Sequence, residues 1–331
     1  MSYEELMSVL DNCTLPNKIS WTMPVLLQVT REVANEFPLN GTIGIKRKVD
    51  GNHYALFEMT GKGKIPSMEQ VAMKWFGSHD IKHPGVYRFF KRGEFILSGQ
   101  VFLIKKPALS ASYYKLTPSQ TRDIFNDLGW QNIVGFNTKS VIHKGHEFIQ
   151  KKTLIKLNAD AIFISPSSGP KNSGEFSVEA IIKCYETLIR KNYYNPYGVL
   201  LGTFNTYPRY CGPREKVFEA ICRKNYGCNS FITFKEDSYY PFRDSLRLFD
   251  NADTGMKILH FDNPYFCLKC NAAVLECLHG RNHAKDLNDS VIREALSRES
   301  IIPQYLMQSD IAGKLQELYK ISPNEVLIPA T

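Results

Sequence analysis

Nowhere in its 331 residues does this chain carry an apolar run of the roughly 18 residues a membrane-crossing helix needs. The first residues, Met1 to Cys13, hold acids early and lack the basic-then-apolar order of a secretory signal. A cytoplasmic protein without membrane attachment is therefore expected. Under that expectation the eight cysteines are not a disulfide framework. Internal repeats and low-complexity segments are missing. So are blocks of like charge: the basic residues behind the net charge of +8 are scattered along the chain. A nucleic-acid stripe is absent, as are the usual reader motifs, so nucleic acid is not expected as a partner. A small anionic substrate suits the charge better.

What is present is an ordinary globular composition, 43% hydrophobic and 22% charged, with length enough for two domains. Pro24 to Glu36 has helical spacing. The runs TIGIKRKV, HYALFEM and FILSGQVFLI then read as strands, separated by turn signals at Val49–Asn52 and Gly61–Gly63. From Thr117 the pattern changes. A helix is expected with Thr117 as its cap, Pro118 at its first position and Gly129 near its end. Strands NIVGF, DAIFISP, YGVLLGTF and SFITF alternate with helices near His143–Leu157, Ser177–Lys191 and Pro213–Asn225. Such alternation predicts a parallel sheet with crossover helices, and ligands there bind beyond the carboxyl ends of the strands.

Two segments lie at that edge. NTKSVIHKGH, Asn137 to His146, follows the first strand and opens a helix. A helix start presents free N–H groups and favours anions. His143 and His146, three apart, share a face of its first turn. The pair alone fits phosphate handling, and equally one core and one surface histidine. Arg209 to Glu215 (RYCGPRE) opens another helix, with Pro213 at its first position; Arg209 and Arg214 are either phosphate-binding groups flanking the same sheet edge or surface arginines.

Together these segments resemble the ATP sulfurylase (sulfate adenylyltransferase) family. NTKSVIHKGH aligns with that family's Q-T-R-N-P-x-H-R-x-H. Arg209–Lys216 aligns with its R-x-A-G-P-R-E-A, and Cys222–Gly227 with its I-R-K-N-Y-G. His79–Val86 looks like its D-x-x-H-P-G-V, and LTPSQTRDIFNDLGW and LHFDNPYFCLKC are similar to flanking family segments. The resemblance spans roughly residues 40 to 320.

It implies an α/β protein: a PUA-like β-rich domain over 1–115, a HIGH-type (H-x-x-H) Rossmann-like nucleotidyltransferase domain over 116–265, and a C-terminal knuckle and helical subdomain over 266–331. It implies transfer of AMP from ATP to an oxyanion, sulfate by default, with release of pyrophosphate and with Mg²⁺ accompanying ATP. His143, His146, Lys139 and Arg209 take catalytic positions. Phe136, Asn137, Thr138, His143, His146, Gly212, Pro213, Arg214, Ser290 and Arg293 take nucleotide positions. Asn137, Lys139, Ser140 and Lys235 take acceptor positions. No fused adenylylsulfate kinase is expected, and the oligomeric state stays open, a homo-oligomer included.

The departures from the family pattern gather on the acceptor side. Asn137 replaces Gln, Lys139 replaces Arg, and Ser140-Val141 replaces Asn-Pro. Phe234-Lys235 stands where the family has Gly-Arg, with Tyr239 and Tyr240 beyond. Asn288-Asp289-Ser290 replaces Ser-Gly-Thr, and Asp289 beside phosphate is unhelpful unless it turns away or meets a metal. Lysine keeps arginine's charge but not its planar fork. These changes fit weakened sulfate binding, or a different or organic anion. A non-catalytic nucleotide-binding homologue is the competing class, opposed by the retained histidines and arginines.

Cys267, Cys270 and Cys277, with His283 or His279, have the residue types and spacing of a structural zinc site, the alternative being core thiols that hold no metal. His283 leaves more chain to wrap the metal and is the preferred fourth ligand.

Overall fold

The computed structural model describes residues 1–47, 50–106, 111–234 and 253–329. These divide into two units. The first gathers the chain up to 106 with Arg209–Ile221 and 253–254. The second gathers 111–208, 222–234 and Gly255 onward. The C-terminal region from 266 thus clusters with the parallel sheet.

The first unit begins with helix α1 (Tyr3–Asn12), closed at its start by a Ser2/Glu5 capping box. Strand β1 (Leu27–Val29) and helix α2 (Arg31–Glu36) follow. The single helix expected over 24–36 is therefore a strand and a short helix. Leu27 to Val29 pair antiparallel with Phe95 to Leu97, and a partner strand outweighs helical spacing over three residues. Strands β2 (Gly41–Lys46) and β3 (His53–Lys64) come next, then helices α3 (Met68–Phe76) and α4 (Pro84–Lys91), then β4 (Phe95–Leu103). The antiparallel order is β1-β4-β3-β2, over a core of Phe57, Met59 and Leu97. His83 caps α4, its Nδ1 accepting from the Gly85 and Val86 amides.

The second unit opens with α5 (Pro118–Asp127), whose Thr117/Gln120 capping box and Gly129 at φ +68° match the sequence reading. Strand β5 (Ile133–Thr138), helix α6 (Lys144–Leu157), β6 (Ala161–Pro166), α7 (Val178–Arg190), β7 (Gly198–Leu201), α8 (Pro213–Asn225), β8 (Ser230–Phe234) and β9 (Lys257–Phe261) alternate as expected. The unit boundary falls inside α8. The sheet is parallel throughout, in the order β7-β6-β5-β8-β9. Chain direction across the sheet therefore reverses between β5 and β8, and a cleft opens at such a point. Every residue of β6 is buried, as a strand covered on both faces requires.

Arg223, without solvent exposure, lies against this sheet. Its Nε donates to Ser165 Oγ at 2.9 Å, and its guanidinium sits 4.0 Å from the Phe204 ring centroid. A Cβ on Gly135 would come within 3.0 Å of the Arg223 stem, which is why β5 carries a glycine there. Beyond the sheet, β10 (Tyr265–Cys267), β11 (Ala272–Val274) and β12 (Ala284–Asp286) form a small antiparallel sheet. Helices α9 (Asp289–Ser297) and α10 (Ser309–Ile321) follow and pack their apolar faces into the main core.

Candidate active site

The loop that leaves β5 sets the site. Thr138 Oγ1 donates to the Ser140 carbonyl at 2.9 Å and accepts the Ser140 amide at 3.1 Å, a tight turn that leaves Thr138 nearly buried. Asn137 Oδ1 accepts from Ser167 Oγ at 3.2 Å. Phe136, 1% exposed, is a core residue whose ring stands 5.6 Å from that of His146.

His143 is the N-cap of α6. Its Nδ1 accepts from the Gly145 amide at 3.1 Å and the His146 amide at 3.4 Å. That acceptor role places the proton of the neutral ring on Nε2. The His143 and His146 rings stack at 3.8 Å and 23°. Burial holds the His143 pKa well below its ordinary value, with His146 adding to the effect. Burial also lowers His146, to about 4, against a small opposing pull from the Val141 backbone. Both rings are therefore neutral at pH 7, since two stacked imidazoles cannot readily share a desolvated positive region. A Cβ on Gly145 would meet His143 and Pro264 at 3.0 Å, so glycine permits this packing. Phe234, at the end of β8, brings its ring to 6.1 Å from that of His146.

Across from the loop, Asn288 caps α9, its Oδ1 accepting from the Val291 amide and from Ser290 Oγ at 2.6 Å. Ser290 is exposed and Arg293 half-buried. Asp289, the first residue of α9, accepts from Ser140 Oγ with one oxygen, and its other oxygen is buried without a hydrogen-bond partner. Desolvation raises its pKa, opposed by Ser140, Arg293 and Lys171. Lys171, which sequence reasoning passed over, donates from Nζ to the Lys139 carbonyl at 3.3 Å. Its loop read only as Gly/Ser/Pro-rich, and no motif marks the lysine. The second unit thus brings together Phe136 to Ser140, His143, His146, Asp289 and Lys171. Lys235, Tyr239 and Tyr240 lie outside the described residues.

Arg209, Gly212, Pro213 and Arg214 belong to the first unit. The Glu215 carboxylate accepts the Arg209 and Tyr210 amides at 2.9 Å each and fixes the turn before α8, where Tyr210 and Gly212 have φ of +61° and +56°. The Arg209 guanidinium lies 5.4 Å from the Phe218 ring centroid. Arg214 corrects an expectation. Its guanidinium, 5% exposed, is not aimed at a nucleotide but donates to the Val9, Leu10 and Lys74 carbonyls. These are last-turn carbonyls of α1 and α3, groups that no intrahelical N–H can reach.

The cysteine cluster closes on itself. Cys267, Cys270, Cys277 and His279 place one ligand atom each within 4.8 Å of all the others. His279 Nδ1 is 3.3 Å from Cys270 Sγ and 3.6 Å from Cys267 Sγ. A tetrahedron with metal–sulfur near 2.3 Å and metal–nitrogen near 2.0 Å has an S–N edge of about 3.5 Å, so the donor set fits a metal of that kind. The fourth group is His279, which corrects the preference for His283. Gly280, at φ +61°, turns the chain back on Cys277, whereas the His283 carbonyl is tied to the Leu268 amide at the start of β12. A hydrogen bond from Tyr265 draws the Cys277 thiol down to about 6.

Fold and site together define a two-part protein: a β-rich unit, and a parallel α/β unit that offers a histidine-capped helix start where the strand order reverses. Comparison makes the class specific. Residues 1–106 match the PUA-like domain model and residues 112–318 the ATP-sulfurylase model. The chain is 31% identical over 329 residues to a sulfate adenylyltransferase of Chloroflexus aurantiacus, covering 97% of this chain and 84% of that one. It is 34% identical over 326 residues to one of Aeropyrum pernix, covering 95% and 83%. A hexameric APS kinase from Thiobacillus denitrificans shares the fold, with a TM-score of 0.69 at 14% identity; 98% of this chain matches 58% of that one. The chain belongs to the ATP sulfurylase family.

Proposed function

We propose that this protein transfers the adenylyl group of ATP to a small oxyanion, sulfate by default, and releases pyrophosphate. One observation carries the reading: two stacked, neutral histidines at the start of α6, at the carboxyl end of β5, where the sheet order reverses. This is the arrangement expected of a HIGH-type, Rossmann-like nucleotidyltransferase site. An acceptor oxygen attacks the α-phosphorus of the magnesium complex of ATP. The α–β phosphoanhydride bond breaks, and its electron pair leaves on pyrophosphate.

The protein's part is positioning and charge stabilisation, without a covalent intermediate. His143 donates from Nε2 as a neutral ring, since a proton on Nδ1 would cost it the cap. His146 is the imidazole free to take up a proton once a polyanion lies over the helix start. The α6 amides add to the same field. Ser290 and Arg293 are the expected grip on the β- and γ-phosphates, and Asn137, Lys139 and Ser140 the expected acceptor side. Zinc in the Cys267, Cys270, Cys277 and His279 cluster would hold the knuckle that leads into α9.

The test is pyrophosphate release from ATP in the presence of sulfate, molybdate, phosphonates or carboxylates. Release with sulfate or molybdate supports the default acceptor. Release with an organic anion alone moves the acceptor to that class, a reading that the Phe234 ring beside His146 favours. Release with none of them overturns adenylyl transfer.

A further inference from the structure

Lys171 sits in the loop between β6 and α7, outside every motif of the family resemblance. That loop is built. The Ser167, Ser168, Gly169 and Gly174 amides donate to the Thr138, Phe204, Thr206 and Ile328 carbonyls, at 2.8–3.0 Å. A Cβ on Gly169 would come within 2.1 Å of the Thr206 carbonyl oxygen, so only glycine allows the approach. The ladder holds Lys171 where its ammonium reaches the Lys139 carbonyl.

None of the carboxylates near this ammonium, Glu175, Asp289 and Glu179, forms an ion pair with it, and Asp289 Oδ1 and Glu179 Oε1 are buried without a hydrogen-bond partner. Both Glu175 oxygens accept from Asn172, at 3.0 and 3.2 Å. One Asp289 oxygen accepts from Ser140, and no carboxylate lies within ion-pair distance of Lys171 among the described residues. One of its three N–H donors is used, at 3.3 Å, and among the described residues the other two have no partner. A half-buried ammonium with spare donors is costly to hold unless an anion meets it. Its pKa, drawn down to about 8 chiefly by desolvation, with Glu175, Asp289 and Glu179 opposing and Lys139 reinforcing, agrees with that cost. Ser140 and Asp289, two positions that depart from the family pattern, touch each other through one Asp289 oxygen beside the loop that Lys171 reaches.

We propose that Lys171 is an acceptor-binding residue, a second point charge that meets the oxyanion beside Lys139. The inference rests on the adenylyl-transfer reading. It means that the arginine fork lost at Lys139 is made up by two ammoniums from different loops.

The experiment compares wild type with Lys171→Gln and Lys171→Arg in two readouts. In turnover, Lys171→Gln should raise the KM for sulfate or molybdate ~10-fold or more while the KM for ATP stays within about 2-fold, and Lys171→Arg should recover most of the loss. Equal rises in both KM values, or a fall in kcat with unchanged acceptor KM and a lower melting temperature, would overturn the proposal by making Lys171 merely structural. In melting, with a non-hydrolysable ATP analogue present, sulfate should stabilise wild type and not Lys171→Gln. If wild type releases no pyrophosphate with any acceptor, the reading of the reaction fails. The melting comparison then decides Lys171 alone: equal stabilisation of both proteins, or of neither, overturns it.

Discussion

His143 holds two roles in one ring, and the roles can be separated by substitution. As N-cap it satisfies two α6 amides; in the proposed reaction its neutral Nε2–H would donate to the anion. Asparagine is as good a cap but has no imidazole. His143→Asn should therefore melt close to wild type and lose turnover ~100-fold or more, whereas His143→Ala should lose turnover and about 2–5 °C as well. Melting curves beside pyrophosphate release check this; full activity in His143→Asn would show that the ring only caps. The depressed imidazole pKa values also set a pH dependence. The unfolded chain binds protons below about 6.5, the folded rings do not, and so their contribution is complete above 6.5 and is lost as pH falls toward about 4. The melting temperature should drop between pH 7 and pH 5, and less so in His146→Asn. ATP binding at pH 6 should take up a fraction of a proton, measurable in buffers of different ionisation enthalpy.

At the scale of elements, two devices end helices and loops that apolar packing leaves unfinished. Arg214 of α8 serves the carboxyl ends of α1 and α3, and α1 has no basic residue of its own in its last turn. Arg214→Leu should cost about 3 kcal/mol, read as a fall in melting temperature, with the KM for ATP unchanged in the folded fraction. A raised KM for ATP at unchanged melting temperature would return Arg214 to the nucleotide. The knuckle of β10 to β12 closes through Cys267, Cys270, Cys277 and His279. Purified protein should hold about one zinc per chain, chelation should lower its melting temperature, and His279→Ala should lose the metal where His283→Ala keeps it. Metal analysis of the two histidine variants decides between them. Spacing favoured His283 because more chain can wrap a metal. The left-handed turn at Gly280, which shortens the return path, is not visible in the ligand residues.

At the scale of the whole molecule, hydrophobic period and turn chemistry carried most of the fold. Thr117, Pro118 and Gly129 bound α5 where expected, and the strands of the parallel sheet follow the apolar runs, because buried parallel strands must be apolar on both faces. The failure at 24–36 came where three residues join a sheet through a partner some seventy positions away. The candidate site was half legible. Histidines three apart at a helix start announce themselves through local spacing, and with GPRE and RKNYG they placed the chain in its family. Lys171 did not, since nothing near it in the sequence says that its loop returns to Lys139. Nor did Arg214, whose charge looked like a phosphate ligand until its carbonyl partners, about two hundred residues distant, were known.

The amino-acid sequence by itself determined the alternation of elements, the histidine-capped helix and the family, because these depend on contacts within a few residues or on motif identity. Only the tertiary structure decided which partners each charge meets inside the protein: Arg214 on helix ends, one Asp289 oxygen on Ser140, Lys171 on the Lys139 carbonyl. A charge's use depends on which partners lie within about 3 Å, and that distance is set by the packing of loops and helices far apart in the chain.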